Sequence, residues 1–225
     1  MQDQWTHWLD PVRALAADAS ERILGIYATA FGITAKEDES PLTAADLAAH
    51  HAILAGLQRL TPDIPVLSEE SADISFAERS QWRRYWLVDP LDGTKEFVQR
   101  NGQFTVNIAL IEDHGPVLGV VRVPVTGVCY FAARHYGAFR AEPDQSPQPI
   151  SVRPLRVGEP VRVAGSKTHG GAGLQAFVAA LGAHHLVSIG SSLKFCRVAE
   201  GAADVYPRLG LTSEWDTAAA QAIVE

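Results

Sequence analysis

The chain is poor in sulfur and in positive charge. Its 225 residues contain two cysteines, Cys129 and Cys196, and one methionine. The cysteines stand far apart without the spacing of a metal site, and both are expected as reduced core residues. Lysine and arginine total 19 against 26 acidic residues, a net charge of −7. No basic stripe interleaved with aromatics offsets this, so duplex nucleic acid is a poor partner. No apolar run approaches the ~20 residues of a membrane span. The N-terminal MQDQWTHWLDPVR lacks a basic start and apolar core, so no secretory signal is visible. The expected location is the cytoplasm, with association at the inner face of a membrane left open. Low-complexity tracts and internal repeats are also missing. An acidic protein that handles an anionic substrate needs local positive charge, and bound metal ions are one source.

What is present is a large apolar fraction, 47%, spread along the whole chain. That suffices for a sizeable core, in one large domain or two small lobes. Residues 5 to 30 repeat apolar side chains at three-and-four spacing (Trp5, Trp8, Leu9, Val12, Leu15, Ala16, Ala19, Ile23), which predicts an amphipathic helix. After the polar KEDESP, Thr43 stands three residues before Asp46, a capping-box-like start to a second helix that runs to Leu60 and stops at Thr61-Pro62. The period then changes. IPVL, YWLV, FTVNIALI, VLGVVRV, GVCYFAA and YGAFR read as strands, the last four as an antiparallel meander from Phe104 to Arg140. The proline-rich EPDQSPQPISVRP predicts a lobe boundary, dividing residues 1–140 from 150–225. Strand and helix then alternate through VRVAG, a helix near 171–182, HLVSI, a helix near 192–200, DVYPR and a last helix from about Asp216. The pattern predicts a layered α/β or α+β sandwich. The short last helix reads as the mark of a truncated chain.

Chemistry gathers around WLVDPLDGTKEF. A buried strand ending at Val88 delivers Asp89 and Asp92 around a proline that ends the ladder, with the Leu91 carbonyl as a third oxygen. Hard divalent cations take ligands of this kind. Gly93-Thr94 opens a short helix whose amides can receive a phosphate. The plainer alternative is an Asp-Pro turn with a capping aspartate. Glu69 and Glu70 follow PVLS at another strand end, and Asp216 precedes the last helix. Taken singly, a solvated acidic turn and a helix cap are the plainer readings of these, as partnership with Thr43 is of Asp46. The aspartates are three apart rather than two, GSKT lacks the glycine before lysine of a phosphate loop, and neither GxSxG nor HExxH occurs. The pairs His50-His51 and His184-His185 are expected at the surface.

Taken in order, Glu69-Glu70, Asp89-Pro90-Leu91-Asp92-Gly93-Thr94 and Trp215-Asp216 resemble the signature of the inositol monophosphatase superfamily of Mg²⁺-dependent, lithium-sensitive phosphatases. SPLTAADLAAH, PVLSEE, YWLVDPLDGTKEF, GQFTVNIALI and IGSSLKFCRVAEGAADVYPR resemble its CysQ branch, the 3′(2′),5′-bisphosphate nucleotidases; DGTKEF stands where inositol monophosphatases more often carry DGTxNF. The resemblance implies an α-β-α-β-α sandwich. It also implies hydrolysis of the 3′-phosphate of adenosine 3′,5′-bisphosphate to AMP, with 3′-phosphoadenylyl sulfate as a second candidate substrate, in support of sulfate assimilation. Carried over by position, Glu69, Asp89, the Leu91 carbonyl, Asp92 and Asp216 hold two or three Mg²⁺ ions. Thr94, oriented by Asp46, positions the attacking water, and Gly93 and Thr94 amides grip the phosphate. His169, Ser191, Lys194 and Arg208 contact the nucleotide. Lys194 as a solvated helix residue and Ser191 or Ser192 as a helix cap are the competing readings. An inositol or sugar phosphatase, and a non-catalytic nucleotide or metal sensor, are the competing functions. Monomer and homodimer are both compatible with the sequence.

Overall fold

The computed structural model describes residues 5–29, 41–71, 73–165 and 172–225. Its helices, in chain order, are α1 (Leu9–Tyr27), α2 (Pro41–Leu60), α3 (Phe76–Arg79), α4 (Thr94–Val98), α5 (Ala172–Leu181), α6 (Leu193–Ala199) and α7 (Ala218–Val224). Its strands are β1 (Val66–Ser68), β2 (Arg84–Asp92), β3 (Thr105–Glu112), β4 (Gly115–Arg122), β5 (Cys129–Ala133), β6 (Gly137–Ala141), β7 (Gln148–Pro149), β8 (Val161–Gly165) and β9 (His184–Ser188). Short 3₁₀ turns at Thr6–Trp8 and Glu69–Ser71 precede α1 and follow β1. Among the described residues, β1 to β7 form one seven-stranded sheet in sequence order. It is antiparallel except for the parallel β1–β2 pair. Strands β8 and β9 form a separate parallel pair.

Layering follows from the burial pattern. Every residue of β5 is buried, as is all of β3 but Glu112, so the large sheet is covered on both faces. Alternate residues sort to opposite sides. Trp86, Val88, Val106, Ile108 and Leu110 join α1 and α2 in one core, through Val12, Ala16, Ile23, Ile53 and Leu57. Leu87, Ala109, Ile111 and Val121 join α6 and α7 in the other, with Leu193, Cys196 and Ile223. Each valine, leucine or isoleucine among them contributes roughly 1.5–3 kcal/mol by leaving water. The contact on the second face is unusually close. A Cβ on Gly119 of β4 would lie 2.1 Å from the Ala219 carbonyl oxygen, so glycine on the strand and alanines on α7 let helix backbone rest on sheet backbone. Helix α6 in turn touches β8. Beyond that pair, Leu174 of α5 comes within 3.8 Å of where a Gly165 Cβ would stand. The order α1/α2, large sheet, α6/α7, small sheet, α5 is the layered sandwich expected from the sequence.

Several local expectations change. Helix α2 starts at Pro41, so Asp46 lies inside the helix and is not the third-position partner of a Thr43 cap. Proline is accepted in the first helical turn, where amide donors lack partners. Strand β2 does not end at Pro90 but continues to Asp92. DVYPR contributes only an isolated bridge, Val205 to Val163. Both cysteines are free and buried, as expected. Among the described residues, no helix is long and apolar enough to cross a membrane.

Candidate active site

The site is built on an irregularity in β2. Asp89 pairs with Asn107 of β3, and Asp92 pairs with Thr105, so three steps along one strand face two along the other. In a regular strand, residues three apart point to opposite faces. The extra residue of this bulge restores the parity, and Asp89 and Asp92 share the α6/α7 side of the sheet while Leu91 enters the opposite core. Pro90 fits here because a bulge tolerates a residue without an amide hydrogen. Gly93 follows with φ at 103°, a conformation costly for other residues, and opens α4. A Cβ there would stand 3.3 Å from the Phe104 Cα and 3.2 Å from the Ser191 Cβ.

Three other elements add carboxylates. Glu69 and Glu70 leave the end of β1 in a 3₁₀ turn. Asp46 reaches the same region from α2, and Asp216 from the segment before α7. Their mutual field is visible in the ionisation of each group. Burial pushes the Asp46 carboxyl up to about 8, with Glu70 and Glu69 adding to the rise. Asp89, 1% exposed, is raised well above the carboxylate range by burial and then by Asp92, Glu69, Asp46 and Asp216. Asp92 is raised by burial, against the pull of Ser192 and Lys194. Glu69 reaches solvent at the mouth of the site, yet partial desolvation and Asp216 raise it too.

On the facing side, the loop before α6 carries Ser191 and Ser192. Ser191 adopts φ of 46° beside Gly93. The Ser192 amide and hydroxyl lie 2.5 and 2.7 Å from Asp92 Oδ2. Lys194, 9% exposed, follows on α6, with Nζ 5.4 Å from the Tyr206 ring centre. Burial lowers the Lys194 ammonium, and Asp92 and Glu96 hold it up. A cleft of about 920 Å³ opens between these elements, lined by Asp92, Thr94, Ser191, Lys194, Arg208 and Asp216 among others. That volume matches small-molecule sites, which run roughly 300–1,000 Å³.

The structure thus brings together Asp46, Glu69, Asp89, Asp92, Gly93, Thr94, Ser191, Lys194, Arg208 and Asp216, while Leu91 is tied to Asp89 by its amide, which donates to Oδ1 at 3.1 Å. His169 lies outside the described residues. The competing reading of Lys194 as a solvated residue fails, because the side chain is enclosed. Ser192 is the residue before α6 but makes no side-chain cap bond; its hydroxyl is turned to Asp92 instead. Asp216 does not cap α7, whose preceding residue is Thr217; its Oδ2 accepts from the Ser213 amide at 3.0 Å. Of the first histidine pair, His51 is exposed but His50 is buried and lies 2.9 Å from the Ser68 hydroxyl, because α2 turns that side towards β1. Asn107 escaped the sequence reading altogether. Its signal was a lone amide inside the apolar run FTVNIALI.

The donor set suits a hard cation. It consists of carboxylate oxygens carrying more negative charge than the neighbouring Lys194 and Arg208 offset. Asp46 Oδ1 and Asn107 Oδ1 are buried acceptors without a hydrogen-bond partner. As they stand, the side chains share a field rather than a point: among the described residues no three His, Cys, Asp or Glu form a closed ion-holding group.

Comparison with known proteins agrees with this geometry. The model of the inositol monophosphatase family matches residues 3–225. The chain is 54% identical over 217 residues to the 3′(2′),5′-bisphosphate nucleotidase CysQ of Salmonella typhimurium, covering 96% of this chain and 86% of the relative. To the protein of the same name in Escherichia coli K12 it is 51% identical over the same coverage. The crystal structure of CysQ from Bacteroides thetaiotaomicron, described as a bacterial member of the inositol monophosphatase family, superposes with a TM-score of 0.84 at 40% identity, over 95% of this chain and 84% of that one. With a bulged aspartate pair, converging acidic elements and a family match over nearly its full length, the chain belongs to the inositol monophosphatase family.

Proposed function

We infer that this protein is a phosphoric monoester hydrolase, a 3′(2′),5′-bisphosphate nucleotidase that releases the 3′-phosphate of adenosine 3′,5′-bisphosphate to give AMP. The bulge that turns Asp89 and Asp92 to one face, opposite a buried lysine, carries the reading. The carboxylates supply a place for cations, and Lys194 with Arg208 supplies the positive charge that a second phosphate or a sulfate requires. The family is generally one of metal-dependent phosphatases. Here Glu69, Asp89, the Leu91 carbonyl, Asp92 and Asp216 would hold Mg²⁺, two or three ions in all. Bound Mg²⁺ would lower the pKa of a water and neutralise charge on the transferring phosphoryl group.

The remaining work falls to the chain itself. Helix α2 touches α4, which begins at Thr94. Asp46 would accept a hydrogen bond from the Thr94 hydroxyl during the reaction, and Thr94 would thereby orient a water towards phosphorus. The Gly93 and Thr94 amides hold the phosphate oxygens. As the water oxygen bonds to phosphorus, the bond to the ribose 3′-oxygen breaks, and that oxygen takes up a proton. Ser191, Lys194 and Arg208 hold the rest of the nucleotide in the cleft, with His169 assigned to the same task. Arg208 is steadied for this by hydrogen bonds to Thr212 Oγ1 at 2.6 Å and the Leu211 carbonyl at 2.9 Å. On this reading residues 1–140 form the metal and phosphate lobe and 150–225 the nucleotide lobe. The protein acts in the cytoplasm, and 3′-phosphoadenylyl sulfate is a second substrate.

The deciding experiment measures phosphate release from adenosine 3′,5′-bisphosphate, inositol 1-phosphate and fructose 1,6-bisphosphate, each with Mg²⁺ and with EDTA. EDTA-sensitive preference for the nucleotide supports the reading. Preference for inositol phosphate keeps the acidic site and overturns the nucleotide pocket. Tight binding without turnover would make the protein a sensor.

A further inference from the structure

Behind the carboxylates lies a second tier of uncharged groups, centred on Ser192. Its side chain is 1% exposed, as is that of Asn107. Asn107 Nδ2 donates to Ser192 Oγ at 2.9 Å. Ser192 Oγ lies 2.7 Å from Asp92 Oδ2 and 2.9 Å from the Asp216 carbonyl. The Ser192 amide donates to the same Asp92 oxygen at 2.5 Å, and Thr105 Oγ1 stands 3.5 Å from it. Four chain segments therefore meet at one hydroxyl: the β2 bulge, β3, the start of α6 and the lead-in to α7.

A serine hydroxyl has one proton to give and lone pairs to receive. The amide of Asn107 occupies the receiving side. The proton is then shared between two acceptors, and an ionised Asp92 is a stronger one than a neutral carbonyl. These donors all fall on Oδ2 of Asp92, so Oδ1 is the oxygen they leave unengaged. The Asp216 backbone is pinned to the same hydroxyl, which fixes the distance between two acidic residues far apart in sequence.

We propose that Asn107 and Ser192 form a positioning relay: Asn107 orients the Ser192 hydroxyl, and Ser192 fixes Asp92 and Asp216 so that Asp92 presents Oδ1 to a divalent cation. The proposal rests on the cation reading of the site given above. It assigns a role to two residues that carry no charge, and it ties cation binding to the segment that bears Lys194. Groups behind metal ligands commonly change metal affinity by ~10–100-fold when removed.

The test is Mg²⁺ binding to the intact, metal-free chain, followed by calorimetry and by the Mg²⁺-induced rise in Tm. Ser192→Ala is expected to weaken Mg²⁺ affinity about 10-fold, and Asn107→Leu, which removes the orienting donor at similar volume, by ~3–10-fold. Since Asn107 acts through Ser192, the double variant should bind Mg²⁺ no more weakly than Ser192→Ala alone. Asp92→Asn serves as the reference. Weakened binding in Asp92→Asn with unchanged binding in Ser192→Ala overturns the relay and leaves the cation site standing. Unchanged binding in Asp92→Asn overturns the cation site and the relay with it. Losses that multiply in the double variant overturn the order of action. If Ser192→Ala does not fold, Asn107→Leu decides by itself: affinity within twofold of the parent refutes the proposal.

Discussion

Asp46 offers a test of the site that needs no substrate. Its side chain is buried, its Oδ1 has no hydrogen-bond partner, and burial with Glu70 and Glu69 raises its carboxyl to about 8 from 3.8. Because the folded value lies above the unfolded one, the folded chain keeps a proton that the unfolded chain has lost between about pH 4 and pH 8. The stability this group contributes is therefore complete below about pH 4 and is lost as pH rises to about 8. Four units at ~1.4 kcal/mol each set an upper limit near ~6 kcal/mol. Relaxation of the surroundings reduces such penalties, and half that value, ~3 kcal/mol, is the expected effect at pH 8. Asp46→Asn cannot ionise. In EDTA at pH 8 it should raise Tm by ~6–12 °C, at the ~2–4 °C per kcal/mol usual for a chain of this size. At pH 5, where only part of this stability has been lost, the gain should be smaller. Thermal unfolding of both proteins from pH 4 to 9 in EDTA reads this directly. The slope should become shallower without vanishing, because Asp89, Asp92 and Glu69 are raised as well. Parallel curves for the two proteins would refute the placement of Asp46 in a buried acidic field.

Other outcomes follow from the same geometry. Asp89→Asn should abolish turnover with the fold intact, since a neutral amide is a poorer ligand for a divalent cation than a carboxylate; near-normal phosphate release would sink the assignment of Asp89. Gly93→Ala should lower stability by ~1–2 kcal/mol, the cost of a left-handed residue, and impair turnover by shifting the bulge; an unchanged Tm in denaturation scans would show that φ of 103° is not needed. Mg²⁺ should raise Tm more at pH 8 than at pH 5, because the raised carboxylates are ionised to a greater extent at the higher pH; an equal rise would argue against their joint role. Lithium should inhibit phosphate release at micromolar to millimolar concentrations, and indifference to lithium would set the chemistry apart from the family's.

Much of this was open to inspection in the sequence, and for reasons of local physics. Three-and-four spacing from Leu9 to Ile23 can bury one stripe only as a helix, and the runs from Phe104 to Arg140, parted by short turns, can pair only as a meander. The residue types of the site were equally plain, since clustered carboxylates at strand ends need neutralising wherever they meet. What no single strand encodes is the relation between two of them. Whether Asp89 and Asp92 face the same way depends on how many β3 residues stand opposite, and tertiary pairing set that at Asn107 and Thr105. The same holds for His50 and Lys194, polar by type yet buried because β1 and Tyr206 happen to lie over them. It holds most of all for Ser192, whose hydroxyl meets Asp92 across 100 residues and Asn107 across 85. Composition and period determined which segments fold and what chemistry they carry. Register, bulge and helix docking decided which oxygens face one another, because those are properties of contacts between segments.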